Sequence, residues 1–134
     1  MHALIVDDDF IGRKLMLKYL RDYCLCDVAI SGDEAITAFQ LAWIEKDPYD
    51  VIYLDIVIPR SNGFEVLDYI RNYEKENDCP FKAKIIMVSA LDDQNQIVNA
   101  YRNECDSYMV KPISMKKLKE VSKQAGVPLK KILR

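Results

Sequence analysis

The chain has 134 residues, half of them hydrophobic, which suits one domain around one core. A formal net charge of −2, with 30% of residues charged, fits a soluble globular protein and gives no overall reason to expect direct nucleic-acid binding. No apolar stretch approaches the roughly 18 residues needed to span a membrane, so neither a membrane partner nor a location other than the cytoplasm is expected.

The first oily run, Ala3–Val6, reads as a buried strand and ends in three acids, Asp7, Asp8 and Asp9. At about 4 Å and an effective dielectric near 20, each adjacent ionised pair costs about 4 kcal/mol. Something must offset that cost, or the acids must point apart into water. Further runs of β-formers follow at Val28–Ile30, Val51–Leu54, Ile85–Val88 and Tyr108–Val110; most lack polar–apolar alternation, as strands covered on both faces do. Between them lie helical stripes: Ile36, Phe39 and Trp43; Val66, Leu67, Ile70 and Tyr73; Met115, Leu118 and Val121. Ser31 with Glu34, Asn62 with Glu65 and Asp93 with Gln96 have capping-box spacing, and Asp47-Pro48 and Cys79-Pro80 punctuate the loops before the third and fourth strands. The order is β-α five times over. It predicts an α/β fold, a five-stranded parallel sheet sandwiched between five helices and joined by right-handed crossovers. The long stretch "RNYEKENDCPFKAK" extends the third helix or its loop. Gly126 and Pro128 stop the last helix, dividing the chain into a domain over 1–124 and a basic tail over 125–134, whose end "LKKILR" has amphipathic character. Lys116, Lys117, Lys119 and Lys123 read as a solvated helix face, and His2, the single histidine, as an exposed terminal residue. The four cysteines contain no CxxC and read as reduced thiols; a metal or redox site at Cys24 and Cys26 is set aside.

In an open parallel α/β sheet, ligands bind beyond the carboxyl ends of the strands. Here those ends carry Asp7–Asp9 after the first strand, Asp55 after the third, Ser89 after the fourth and Lys111 after the fifth. Clustered carboxylates are oxygen ligands for a hard divalent cation such as Mg²⁺, and such a cation would relieve the repulsion between the acids. A hydroxyl and an ammonium opposite them suit a tetrahedral dianion. Asp55 is then a carboxylate nucleophile able to form an aspartyl phosphate, in a reaction that needs little beyond positioning and charge neutralisation.

"VDDD", "LDIVIPRSNGFE", "VSA" and "YMVKP", in this order and spacing, resemble the receiver domain of response regulators in two-component signal transduction, the CheY-like family, over about Ala3 to Gln124. The resemblance implies a doubly wound, flavodoxin-like sheet in the order 2-1-3-4-5. It also implies a set of roles. Asp8 ligates Mg²⁺ (or Mn²⁺) directly, Asp7 acts mainly through metal-bound water, and Asp55 and the backbone carbonyl of Val57 complete the protein ligands. Asp55 accepts the phosphoryl group, Ser89 bonds one of its oxygens, and Lys111 pairs with it and, before it arrives, with Asp55. Lys111 and Pro112 are joined by a cis peptide, Ser89 and Tyr108 form the switch, and Pro59 and Gly63 fit the loop after Asp55.

The function so implied is a phosphorylation-controlled signalling switch rather than an enzyme, promoting its own phosphorylation and dephosphorylation. A histidine kinase or phosphotransfer protein is the donor in this phosphorelay. A downstream protein or a second copy of the chain binds the face made by the fourth helix, fifth strand and fifth helix, about Gln94 to Gln124. The receiver is either stand-alone or excised from a longer regulator. Asp9, an additional acid, is read as a helix cap in preference to a metal ligand, and Tyr108 as a fixed aromatic remains the alternative to switching. Val57 and Leu91 are apolar at positions that in this family tune acyl-phosphate hydrolysis, so a comparatively long-lived phosphate is expected. A Mg²⁺-dependent phosphohydrolase is disfavoured because the second acid such enzymes carry two residues after the nucleophile is here Val57. A flavin-binding protein of the same sheet order is disfavoured because three aspartates would repel the FMN phosphate.

Overall fold

The computed structural model describes residues 1–90 and 94–132. Five strands, β1 (His2–Val6), β2 (Leu25–Ala29), β3 (Val51–Asp55), β4 (Lys84–Ser89) and β5 (Ser107–Val110), form one parallel sheet in the order β2-β1-β3-β4-β5. Five helices, α1 (Phe10–Leu20), α2 (Gly32–Ile44), α3 (Gly63–Glu76), α4 (Gln94–Arg102) and α5 (Met115–Gln124), follow the strands in turn. This is the flavodoxin-like arrangement expected. A two-residue antiparallel ladder, Val57–Ile58 with Ser61–Asn62, folds the segment after β3 back on itself.

Successive side chains of a strand point to opposite faces, so each central strand feeds two cores. Leu4, Val6, Ile52, Leu54, Ile85 and Met87 face Phe39 of α2 and Val66, Leu67 and Ile70 of α3. Ala3, Ile5, Val51, Tyr53 and Ile86 face Met16 and Leu20 of α1 and Leu118 of α5. Burying a side chain of this size stabilises by about 1.5–3 kcal/mol, and β3, buried along its whole length, contributes to both layers. Tyr53 carries a hydroxyl into the second layer, where it meets Ser122 of α5 at 2.8 Å.

The second strand lies N-terminal to its expected position. Pairing of His2 with Leu25 through Val6 with Ala29 sets its register, and as an edge strand it is largely exposed, so it has no hydrophobic run to mark it. Ser31 and Asn62 cap α2 and α3, accepting from the N–H of Glu34 and Glu65, and Ser114 caps α5 in the same way, accepting from Lys117. The expected cap at Asp93, together with Leu91, lies outside the described residues. The tail does not stand away from the domain: Val127 and Leu129 pack on the α1–α5 core, and the Ile132 N–H donates to the Asp22 carbonyl at 2.7 Å. Leu133 and Arg134 lie outside the described residues. His2 is not simply exposed. Its Nε2 is 2.9 Å from Asp27 Oδ2, its Nδ1 is 2.9 Å from the Asp47 carbonyl, and its ring lies against Tyr49.

Candidate functional site

The sheet delivers Asp7 one residue beyond the end of β1, Asp55 at the end of β3, Ser89 at the end of β4 and Lys111 one residue beyond β5. Asp7 and Asp55 are buried although both are acids; Asp8, between Asp7 and the cap of α1, is exposed. Lys111 bridges the two buried carboxylates, its Nζ 2.8 Å from Asp55 Oδ2 and 3.2 Å from Asp7 Oδ2. The remaining Asp55 oxygen, Oδ1, accepts from the Val57 N–H at 3.0 Å, and Asp7 Oδ1 accepts from the Asp9 N–H at 2.9 Å. One oxygen each from Asp7, Asp8 and Asp55 lies within 4.8 Å of the others.

Lys111 thus pairs with two of the three clustered carboxylates, and Asp8 has no ion pair among the described residues. Burial raises the Asp55 carboxyl above its ordinary value, the charge of Asp7 adding to it, while the hydrogen bonds and charge of Lys111 and the Val57 N–H only partly offset the shift. At Lys111 burial acts to lower the pKa, but hydrogen bonding and charge from Asp55 and Asp7 outweigh it, and the ammonium is held above its ordinary value. The site holds more negative charge than its own cation compensates. A set of hard oxygen donors in that condition fits a divalent cation such as Mg²⁺.

The local chain explains the placement. Lys111 is joined to Pro112 by a cis peptide, and its N–H donates to the Ser89 carbonyl at 2.8 Å. Ser89 is buried at the same rim, in register with Val110. Tyr108, in register with Met87, packs partly buried against the α2–α3–α4 core. The turn Pro59-Arg60, with Arg60 at φ 63°, reverses the chain so that Gly63 lies against β3, where a Cβ would stand 2.5 Å from the Asp55 carbonyl oxygen. Val57 turns its apolar side chain outward, 65% exposed.

Three residues not singled out in the sequence also shape the rim. Gly12 leaves room for Asp7, because a Cβ there would come within 2.6 Å of Asp7 Oδ2. Arg13 donates from its guanidinium to the Asp7 carbonyl at 3.0 Å. Neither has a spacing signal, since both act through main-chain approach that only the fold creates. Asp9 caps α1, accepting from the Gly12 N–H at 3.2 Å, and stands apart from the three clustered carboxylates. Ser114, the third, fixes the start of α5 just after the Lys111-Pro112 turn.

The family model described as the response regulator receiver domain matches residues 3–123. The chain belongs to the response regulator receiver family. Receiver domains are the signalling switches of two-component systems, and phosphorylation and Mg²⁺ are typical of them. The regulatory protein VanRB of Enterococcus faecalis is 32% identical over 113 residues, covering 84% of this chain and 46% of its own length. This receiver spans less than half the length of the curated relatives named first among its matches. CheY in a CheX–CheY–BeF₃–Mg²⁺ complex from Borrelia burgdorferi has the same fold at a TM-score of 0.81 and 23% identity, covering 95% of this chain and 90% of that one. The receiver domain of Ssk1, in a co-crystal with the histidine phosphotransfer protein Ypd1 of Saccharomyces cerevisiae, superposes at a TM-score of 0.78 and 25% identity, covering 94% and 89%. Among the described residues, no helix is long and apolar enough to cross a membrane.

Proposed function

We propose that this receiver takes a phosphoryl group on Asp55 from a phosphohistidine of a histidine kinase or phosphotransfer protein and thereby controls a partner. The observation that carries this reading is the convergence of Asp7, Asp8 and Asp55 within 4.8 Å, with Lys111 2.8 Å from the acceptor carboxylate. Asp7, Asp8, Asp55 and the Val57 backbone carbonyl are the residues that would hold Mg²⁺ or Mn²⁺; the bound cation supplies charge neutralisation for the incoming phosphoryl oxygens. An oxygen of Asp55 attacks phosphorus, the P–N bond to the donor imidazole breaks, and the imidazole leaves with the bonding pair. Lys111 and the Val57 N–H hold the Asp55 carboxylate in place before transfer. After it, Lys111 pairs with the phosphoryl group and the Ser89 hydroxyl donates to one of its oxygens.

The dianion then biases an equilibrium involving the Ser89 segment and Tyr108. Inverting a population of about 1:99 requires a preference of about 5.5 kcal/mol for one state, to which two new charge-assisted contacts contribute a large part. The face that changes is α4, β5 and α5, where a downstream protein or a second copy of the chain binds. Residues 1–124 form the receiver unit and 125–134 a basic tail, of which Val127, Leu129 and Ile132 lie against the unit. The same support (a Ypd1-bound receiver of like fold) favours a phosphotransfer partner, and the outward, apolar Val57 favours slow loss of the phosphate.

The test is intact mass after incubation with acetyl phosphate and Mg²⁺. The native chain gains one phosphoryl group and Asp55→Asn gains none while keeping its circular dichroism spectrum. Equal labelling of the two would defeat the proposal.

A further inference from the structure

Between α1 and the exposed edge strand β2 lies a cavity of about 760 Å³. None of Asp7, Asp8, Asp55, Ser89 and Lys111 lines it, so it is separate from the carboxylate rim. Its apolar wall comes from α1. Met16 and Leu20 of that helix, four residues apart on one face, are buried in the core. Ile11 and Leu15, also four apart, form a second apolar row that the sheet does not cover: Ile11 is 74% exposed and Leu15 half-buried. Leu25, which also lines the cavity, starts β2 and is 67% exposed at the sheet edge. Cys24 and Cys26 complete the lining, their thiols acting as small apolar groups. A volume of this size takes a small organic molecule, and such cavities are mostly apolar with a few polar groups that orient the ligand.

The charged groups here have one sign. Lys14 and Lys18, four residues apart, run beside the apolar row, and Arg21 follows one turn on. No acid lines the cavity among the described residues. The neighbouring Asp27 is engaged elsewhere, its Oδ2 accepting from the Tyr49 hydroxyl at 2.8 Å and lying 2.9 Å from His2 Nε2. The Lys14 ammonium lies 5.7 Å from the centroid of the Phe10 ring, and neither Lys14 nor Lys18 is in an ion pair among the described residues. Ammonium groups beside an uncovered apolar row favour a molecule with a negative head and an apolar body, and reject one with a positive head.

We propose that the α1–β2 cavity binds an amphipathic organic anion, an alkyl body carrying one carboxylate. The body covers Ile11, Leu15 and Leu25 and removes their apolar surface from water, while the carboxylate accepts charge-assisted hydrogen bonds from Lys14 and Lys18. A neutral alcohol with the same body keeps the first contribution and loses much of the second.

The test is titration of the full chain with decanoate, followed through its amide NMR signals. Saturable shifts should appear at Ile11, Lys14, Leu15, Lys18, Leu25 and Cys26, with a dissociation constant of about 1 mM or tighter. Decanol should shift the same signals at higher concentration, and decyltrimethylammonium should give no saturable shift. Replacing both Lys14 and Lys18 by Ala should weaken decanoate about tenfold and leave decanol within about twofold. Leu25→Glu, at an exposed position, should abolish decanoate binding while the spectrum stays dispersed. Shifts that do not saturate or that scatter beyond the cavity, equal binding of decanoate and decyltrimethylammonium, or undiminished decanoate affinity in either variant would overturn the proposal.

Discussion

The two ends of the same sheet both bury charge, and they treat it differently. At the amino-terminal end of β4, Arg71 of α3 donates to Glu74 Oε1 at 2.8 Å, the Ala83 carbonyl at 2.8 Å, the Glu104 carbonyl at 2.9 Å and Asp106 Oδ2 at 2.8 Å. Glu74 Oε2 accepts from the Ala83 N–H at 2.7 Å, and Asp106 also accepts from the Ile85 N–H. With Lys84 3.9 Å from Asp106, two anions meet two cations. At the carboxyl end, among the described residues, Lys111 pairs with Asp7 and Asp55, Asp8 has no ion pair, and Arg13 reaches only the main-chain carbonyl of Asp7. The first cluster is closed and ties α3 to the β4 and β5 entries. The second is left with excess negative charge, which a cation and then a phosphoryl group can engage. Balance marks the structural end and imbalance the functional one.

The sharpest way to break this contrast is to unbalance the closed end. Arg71→Met strands Glu74 without its cation in the interior and should cost about 3–5 kcal/mol in denaturant unfolding. A loss below about 1 kcal/mol would mean that the network is not what holds the α3–β4 junction. At the open end the complementary measurement is stabilisation by Mg²⁺. At a concentration a hundredfold above its dissociation constant the ion should add about 2.7 kcal/mol to the native chain and the same to Arg71→Met. It should add almost nothing to a chain with Asp8→Ala and Asp55→Asn together. Equal stabilisation of all three would place the ion elsewhere.

The smallest effect concerns pH. Because burial raises Asp55, the folded chain holds a proton there that the unfolded chain has already released, over the window from the ordinary carboxyl value of 3.8 up to its raised one. Within that window Asp55 makes stability fall as pH rises. Asp55→Asn removes the dependence, so without divalent cations the variant should match the native chain at the acid end and exceed it near neutrality. A native chain that gained stability over the variant across that window would show that Lys111 outweighs burial.

Much of the open end was legible in the sequence. Asp7, Asp55, Ser89 and Lys111 each follow a hydrophobic strand run, and parallel strands bring such ends to one rim by construction. The closed end was not. Arg71 and Glu74 lie in a charged helical stretch that reads as solvated, and their burial depends on Ala83, Glu104 and Asp106 arriving from elsewhere in the chain. β2 was misplaced for the opposite reason: an edge strand with three of its five residues exposed has no apolar run to locate it. His2 was read as exposed, and the tail's resting place was not legible, because their partners, Asp27, Asp47 and Asp22, are distant in sequence. Local pattern identifies what the strands carry to the rim; long-range pairing of polar groups is set by the assembled fold.

The most direct measurement is to treat the phosphorylated native chain with borohydride, which reduces an acyl phosphate to the alcohol, and to map the product. The account predicts homoserine at position 55 alone, formed only when the donor was supplied with a divalent cation. Homoserine at another aspartate, or at position 55 without any cation, would contradict it.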